Sequence, residues 1–116
     1  MSRDSRLYVA DILDAIGAIE KYIADMPFDS FSNDRKTLDA VIRNLEVIGE
    51  AAGKLEGAEK PAMPEIEWRK ITAIRNILAH EYFGVSKPIV WDIAKNRLPD
   101  LADACRRWLN QHRETS

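Results

Sequence analysis

The chain has 116 residues, of which 46% are hydrophobic, and a formal net charge of −2 at pH 7. A chain of this length folds around one core, so we expect a single domain over residues 1–116. The only cysteine, Cys105, excludes an internal disulfide, and no apolar run approaches the ~20 residues of a membrane span. No apolar secretory segment follows Met1, so we expect a cytoplasmic protein. No zinc-ligand spacing occurs, and we expect neither a metal nor another cofactor.

Hydrophobic residues spaced three and four apart predict helices along nearly the whole chain. The first helix is predicted from about Asp4 to Asp25. The second begins at one of two candidate N-caps, Ser32 or Asn33, whose side chains can accept a backbone N–H. Its core-facing stripe is predicted to hold Leu38, Val41, Leu45, Ile48, Ala52 and Leu55.

Two more helices follow a link rich in Gly and Pro. The third is predicted from Glu65 to about Phe83, with Gly84 as its C-terminal stop. The fourth starts near Pro88, and Pro99 within it predicts either a kinked helix or two short ones. Amphipathic helices with short connections bury their apolar stripes together, which predicts an all-α, up-and-down bundle of four to five helices.

One segment carries Arg75, Asn76, His80 and Tyr82 within little more than two helical turns. Arg holds a phosphodiester through its planar guanidinium, His transfers a proton near neutral pH, and Asn and Tyr can orient either group. From Trp68 onwards the chain has nine Lys and Arg against five Asp and Glu, whereas the residues before it have eight against fourteen. The motif therefore lies in the basic half, which favours an anionic ligand.

The spacing of the motif also favours a homodimer. At 100° per residue, Tyr82 lies about 20° from Arg75 and His80 about 40° from Asn76, but His80 lies about 140° from Arg75. A joint site therefore needs either local unwinding near His80 or a second copy of the helix. Two copies of His80 across a two-fold axis would supply the acid and the base for RNA cleavage.

Four residues outside the motif are candidates for a role in the site. Glu50 is a candidate substrate-positioning residue that pairs with the motif arginine or orients the motif histidine, or else it is a surface residue. Gly49 beside it permits close backbone approach. Trp68 and Trp91 are either core or interface anchors or stacking platforms for bases.

The pattern R-x-x-x-x-H-x-Y formed by Arg75, His80 and Tyr82 resembles the signature of the HepT-like toxins in the HEPN superfamily. The resemblance covers most of the chain. It includes residues 43–52, which are similar to the I-G-E-A helix of that family, and the positions Trp68, Trp91, Leu98 and Pro99.

The resemblance implies a HEPN-type homodimer that is the toxin of a type II/VII-like toxin–antitoxin pair. It implies a metal-independent endoribonuclease with Arg75 and His80 as catalytic residues, and with Asn76 positioning them or the scissile phosphate. The implied partner is an MNT-type nucleotidyltransferase antitoxin, which silences the toxin by adding AMP to Tyr82. The alternative is a non-catalytic dimeric module that binds a nucleotidyltransferase or nucleotide phosphates with the same residues.

Overall fold

The structure, a computed structural model, describes the backbone of residues 4–80 and 86–112, and the side chains of these residues except 77–80. These ranges contain helices and no strand, which confirms the all-α prediction. None of the described helices is long and apolar enough to cross a bilayer. The helices are α1 (Ser5–Ile23), α2 (Phe28–Ser32), α3 (Arg35–Gly53), α4 (Trp68–His80), α5 (Lys87–Asp92) and α6 (Leu98–Gln111).

Helix α1 begins and packs as its sequence predicts. The Asp4 carboxylate caps its first turn by accepting the backbone N–H of Arg6 at 2.9 Å. Apolar residues at helical spacing face the core, where Ile12, Ile16 and Ile19 are fully buried. This burial holds α1 in the bundle, because each such side chain contributes about 1.5–3 kcal/mol when it leaves water.

Helix α2 was not predicted, and because of it α3 starts later in the chain than predicted. Ser32 and Asn33 are wrong as N-caps, because their side chains donate to the carbonyl of Asp29 in the first turn of α2. Asp34 caps α3 instead, accepting the backbone N–H of Thr37 at 3.1 Å and its hydroxyl at 2.8 Å. These hydrogen bonds, led by that of the backbone N–H, hold the pKa of Asp34 below its usual value.

The α3 stripe is buried as predicted, and the link that follows leads to α4. Trp68 begins this helix, whereas the sequence pattern predicts its start at Glu65. The Trp68 ring is buried, and its indole N–H donates to the Met63 carbonyl at 3.3 Å. Trp68 is therefore a core anchor. The predicted end near Phe83 and Gly84 lies outside the described residues.

Pro99 is accommodated without a break in the helical backbone. Residues Ile93–Arg97 form a π-helical turn that joins α5 to α6, and within it the N–H of Leu98 donates to the Ile93 carbonyl. In an α-helix the proline ring would clash with the carbonyl four residues earlier, and proline has no N–H to donate. The wider π turn relieves this conflict. The two predicted short helices are thus present and joined.

The helices pack in a simple order. α3 packs on α1, α4 packs on α3, and α6 returns to pack on α1. The core between them contains Leu45, Ile48 and Leu101, all fully buried. The long segments α1, α3, α4 and α5–α6, with the short α2, confirm the predicted bundle of four to five helices.

Candidate active site

Helices α3 and α4 approach each other closely at Gly49 and Arg75. Gly49 is buried, and a Cβ built on it would lie 3.2 Å from the Cβ of Arg75, 3.2 Å from its backbone nitrogen and 3.6 Å from its Cα. A side chain on α3 would collide with α4 at this level, so glycine allows the two backbones to meet. The sequence indicated a close approach at Gly49 but not the residue that it contacts.

Beyond this contact, the Arg75 side chain is exposed to solvent. Arg75 and its neighbour Asn76 are both exposed. Among the residues that the structure describes, none forms an ion pair or hydrogen bond with the Arg75 guanidinium. An exposed guanidinium with no carboxylate bound to it can hold an anionic ligand through its planar donors.

His80 is the last residue of α4 that the structure describes, and only its backbone position is described. Because the backbone is helical up to this residue, the positions of Arg75 and His80 remain about 140° apart around the axis. Arg69 and Asn76, both exposed, lie instead within about 40° of the position of His80 around the helix axis. Tyr82 lies outside the described residues.

Glu50 is exposed and lies on a different side of α3 from the Arg75 contact. It lines a small depression between α1 and α3, together with Tyr8, Asp11 and Lys54. No ion pair joins Glu50 to Arg75 in the described part of the chain. Its role in positioning substrate therefore stays a prediction. No three acidic, histidine or cysteine residues within the described ranges gather as a metal-binding group.

A groove of about 320 Å³ lies between α4 and the α5–α6 segment. Its floor is apolar, and Ile89 at one side is 48% exposed. Its rim carries both signs of charge: Glu67 lies 3.1 Å from Lys70 and 3.9 Å from Arg97, which also lies 3.6 Å from Asp92. An exposed apolar groove with a polar rim is typical of an interaction surface.

Trp91 anchors α5 against α2 and is half-buried. Its ring lies 4.9 Å from the ring of Phe31 and 5.9 Å from that of Phe28. The Lys95 ammonium lies 5.1 Å above it, and the Lys87 ammonium donates to the Ser32 carbonyl at 2.8 Å. The contacts of the Trp91 ring with Phe31 and Lys95 support its role as an anchor for the helix.

The all-α bundle belongs to the class of HEPN-type helical domains. The Ribonuclease HepT-like family matches residues 12–108, and the chain belongs to this family. It is similar to a proposed ribonuclease HepT of Thermococcus cleftensis, at 41% identity over 87% of this chain and 92% of the relative. It is also similar to a proposed RNase of Methanocaldococcus jannaschii, at 41% identity over 84% and 81% of the two chains. No solved structure matches the chain.

Proposed function

We propose that the protein is a toxin-type endoribonuclease that cleaves RNA without a metal ion, using Arg75 and His80. The observation that carries this proposal is the exposed Arg75 guanidinium, which has no partner among the described residues. The backbone of Arg75 lies in a close contact between two helices. The described part of α4 extends to His80. Membership of the HepT-like family and relatives named as RNases support the same activity.

The chemistry follows from these side chains. One His80 takes the proton of a ribose 2′-hydroxyl, whose oxygen attacks the adjacent phosphorus. Negative charge accumulates on the phosphorane oxygens, where Arg75 stabilises it. The bond to the 5′-oxygen breaks, and a second His80 gives that oxygen a proton, which leaves a cyclic phosphate and a free 5′-hydroxyl. Asn76 would bind a non-bridging oxygen from the same face of α4 as the His80 position.

This mechanism needs a second copy of the chain, because each copy offers one His80 at a position far around α4 from Arg75. We propose that the homodimer forms over the groove beside α4. Ala73, a small residue, lies on the groove wall near the position of His80 around the helix axis and allows close approach. The rim is self-complementary, since Lys70 and Arg97 of one copy can meet Asp92 and Asp100 of the other.

The family resemblance supports a regulatory partner of this site. Tyr82 lies two residues after His80 in the sequence, and an MNT-type nucleotidyltransferase antitoxin would add AMP to its hydroxyl. The added phosphate is an anion beside the residues that bind substrate phosphate, so it would remove both access and attraction. RNA, the antitoxin and the toxin would meet in the cytoplasm.

RNA cleavage in EDTA tests this proposal. Unmodified protein, checked by intact mass, is incubated with total RNA beside Arg75→Ala and His80→Ala. Removal of either group should lower the rate by at least about 100-fold. Arg35→Ala is the control, because it removes an exposed arginine of α3 that pairs with Asp39, and it should cleave at the wild-type rate.

Two results would contradict the proposal. Cleavage only after Mg²⁺ is added would refute the metal-independent mechanism. No cleavage by a folded dimer would favour the non-catalytic module, in which Arg75 binds nucleotide phosphates or the nucleotidyltransferase docks on the dimer. Binding of AMP that Arg75→Ala abolishes would then identify the phosphate-binding form of that module.

A further inference from the structure

We propose that Gly49 is a positioning residue for Arg75: it sets the distance between α3 and α4 at the residue that presents the guanidinium. This inference rests on the proposed function, because it assigns Gly49 to the same site. In this proposal Gly49 does not touch the reacting atoms; it acts through its contact with the backbone and Cβ of Arg75.

The contact leaves little room for a methyl group. The three atoms nearest to a Cβ on Gly49 all belong to Arg75, and two of them are its backbone nitrogen and Cα. A separation of 3.2 Å is shorter than ordinary van der Waals contact. Rotation of the Arg75 side chain moves none of these atoms, so α4 itself would have to shift by a few tenths of an ångström.

The other glycines of α1 and α3 differ from Gly49 in this respect. A Cβ on Gly17 or on Gly53 would meet no atom within 4 Å. Glycine in a helix interior costs about 1 kcal/mol relative to alanine. At Gly49 the missing side chain allows the contact with Arg75. At Gly17 the glycine lowers helix stability in the same way, but no close contact requires it. Gly17 and Gly53 are therefore matched controls.

A displacement of α4 would reach the chemistry, because the same helix carries Arg75, Asn76 and His80. A misplacement of 1 Å can cost about 100-fold in rate. A shift of a few tenths of an ångström should therefore lower kcat about tenfold. KM should change less than about twofold, because binding of the long RNA chain depends on many phosphates.

The experiment compares Gly49→Ala with Gly53→Ala and Gly17→Ala. Urea unfolding, kcat and KM for RNA cleavage, and the NMR signal of the Arg75 amide are measured for each variant. We expect a folded Gly49→Ala protein with kcat about tenfold lower, a nearly unchanged KM and a shifted Arg75 amide. Both controls should keep the wild-type kcat and the wild-type Arg75 signal.

Failure of the Gly49 inference can be distinguished from failure of the ribonuclease proposal. A Gly49→Ala protein with wild-type kcat and an unmoved Arg75 amide overturns the inference. If Gly49→Ala alone does not fold, it is measured in the Gly17→Ala background, which adds helix stability away from the site. If the wild-type chain cleaves no RNA, the ribonuclease proposal fails separately, and the Arg75 amide still decides whether Gly49 sets the position of that residue.

Discussion

Replacement of Phe31 by alanine tests the packing that holds α2 and α5 together. Phe31 is fully buried, and its ring lies 4.9 Å from that of Trp91. Phe→Ala in a core costs about 3–5 kcal/mol, because the transfer energy is lost and a cavity remains. We expect Phe31→Ala to lower the free energy of unfolding by about 4 kcal/mol, out of the roughly 5–15 kcal/mol that stabilises a domain.

Urea unfolding followed by tryptophan fluorescence measures this change. With an m-value of about 1.5 kcal/mol/M, a loss of about 4 kcal/mol moves the midpoint down by about 2.7 M. Tyr22→Ala is the control, because Tyr22 is 45% exposed, and it should change stability by less than about 0.5 kcal/mol. A loss in Phe31→Ala below about 1.5 kcal/mol would refute the argument that this ring carries the α2–α5 contact.

Three further predictions concern single groups. Gly17→Ala should raise the free energy of unfolding by about 0.5–1 kcal/mol, because a methyl there meets no atom; an unchanged urea midpoint would contradict it. Burial raises the pKa of the Cys105 thiol to about 12 from 9.0, so stability should fall as pH rises above 9.0, where the unfolded chain ionises first. At pH 8, a disulfide reagent should label native Cys105 roughly 1,000-fold more slowly than the urea-unfolded chain, and equal rates would show an accessible thiolate. The pKa of Asp34 is lowered in the folded state, so the ionised carboxylate stabilises the fold above pH 3.8, and this stabilisation is lost as pH falls through the native pKa. Asp34→Ala lacks the bonds to Thr37, so its urea midpoint should depend less strongly on acid pH.

Several elements could be predicted because their signals are local. The stripes of α1 and α3 repeat at helical spacing over many residues, and residues such as Ile16 and Leu45 are buried as that spacing indicates. Helix α2 has five residues, which is too short to show a helical period. The burial of Phe31 within it depends on the contact with Trp91, which is distant in the sequence. The sequence could not identify the cap of α3 among neighbouring polar residues, because the side chains of Ser32 and Asn33 bond to α2, which was not predicted.

The same division applies to the candidate site. The sequence by itself determined the chemical groups of the motif, including Arg75 and His80. It also determined their angular separation, because a helix turns by about 100° per residue. Only the tertiary structure decided that Gly49, and not Glu50, lies against Arg75. A glycine has no side chain whose polarity could reveal its neighbour, so its partner depends on how α3 and α4 cross.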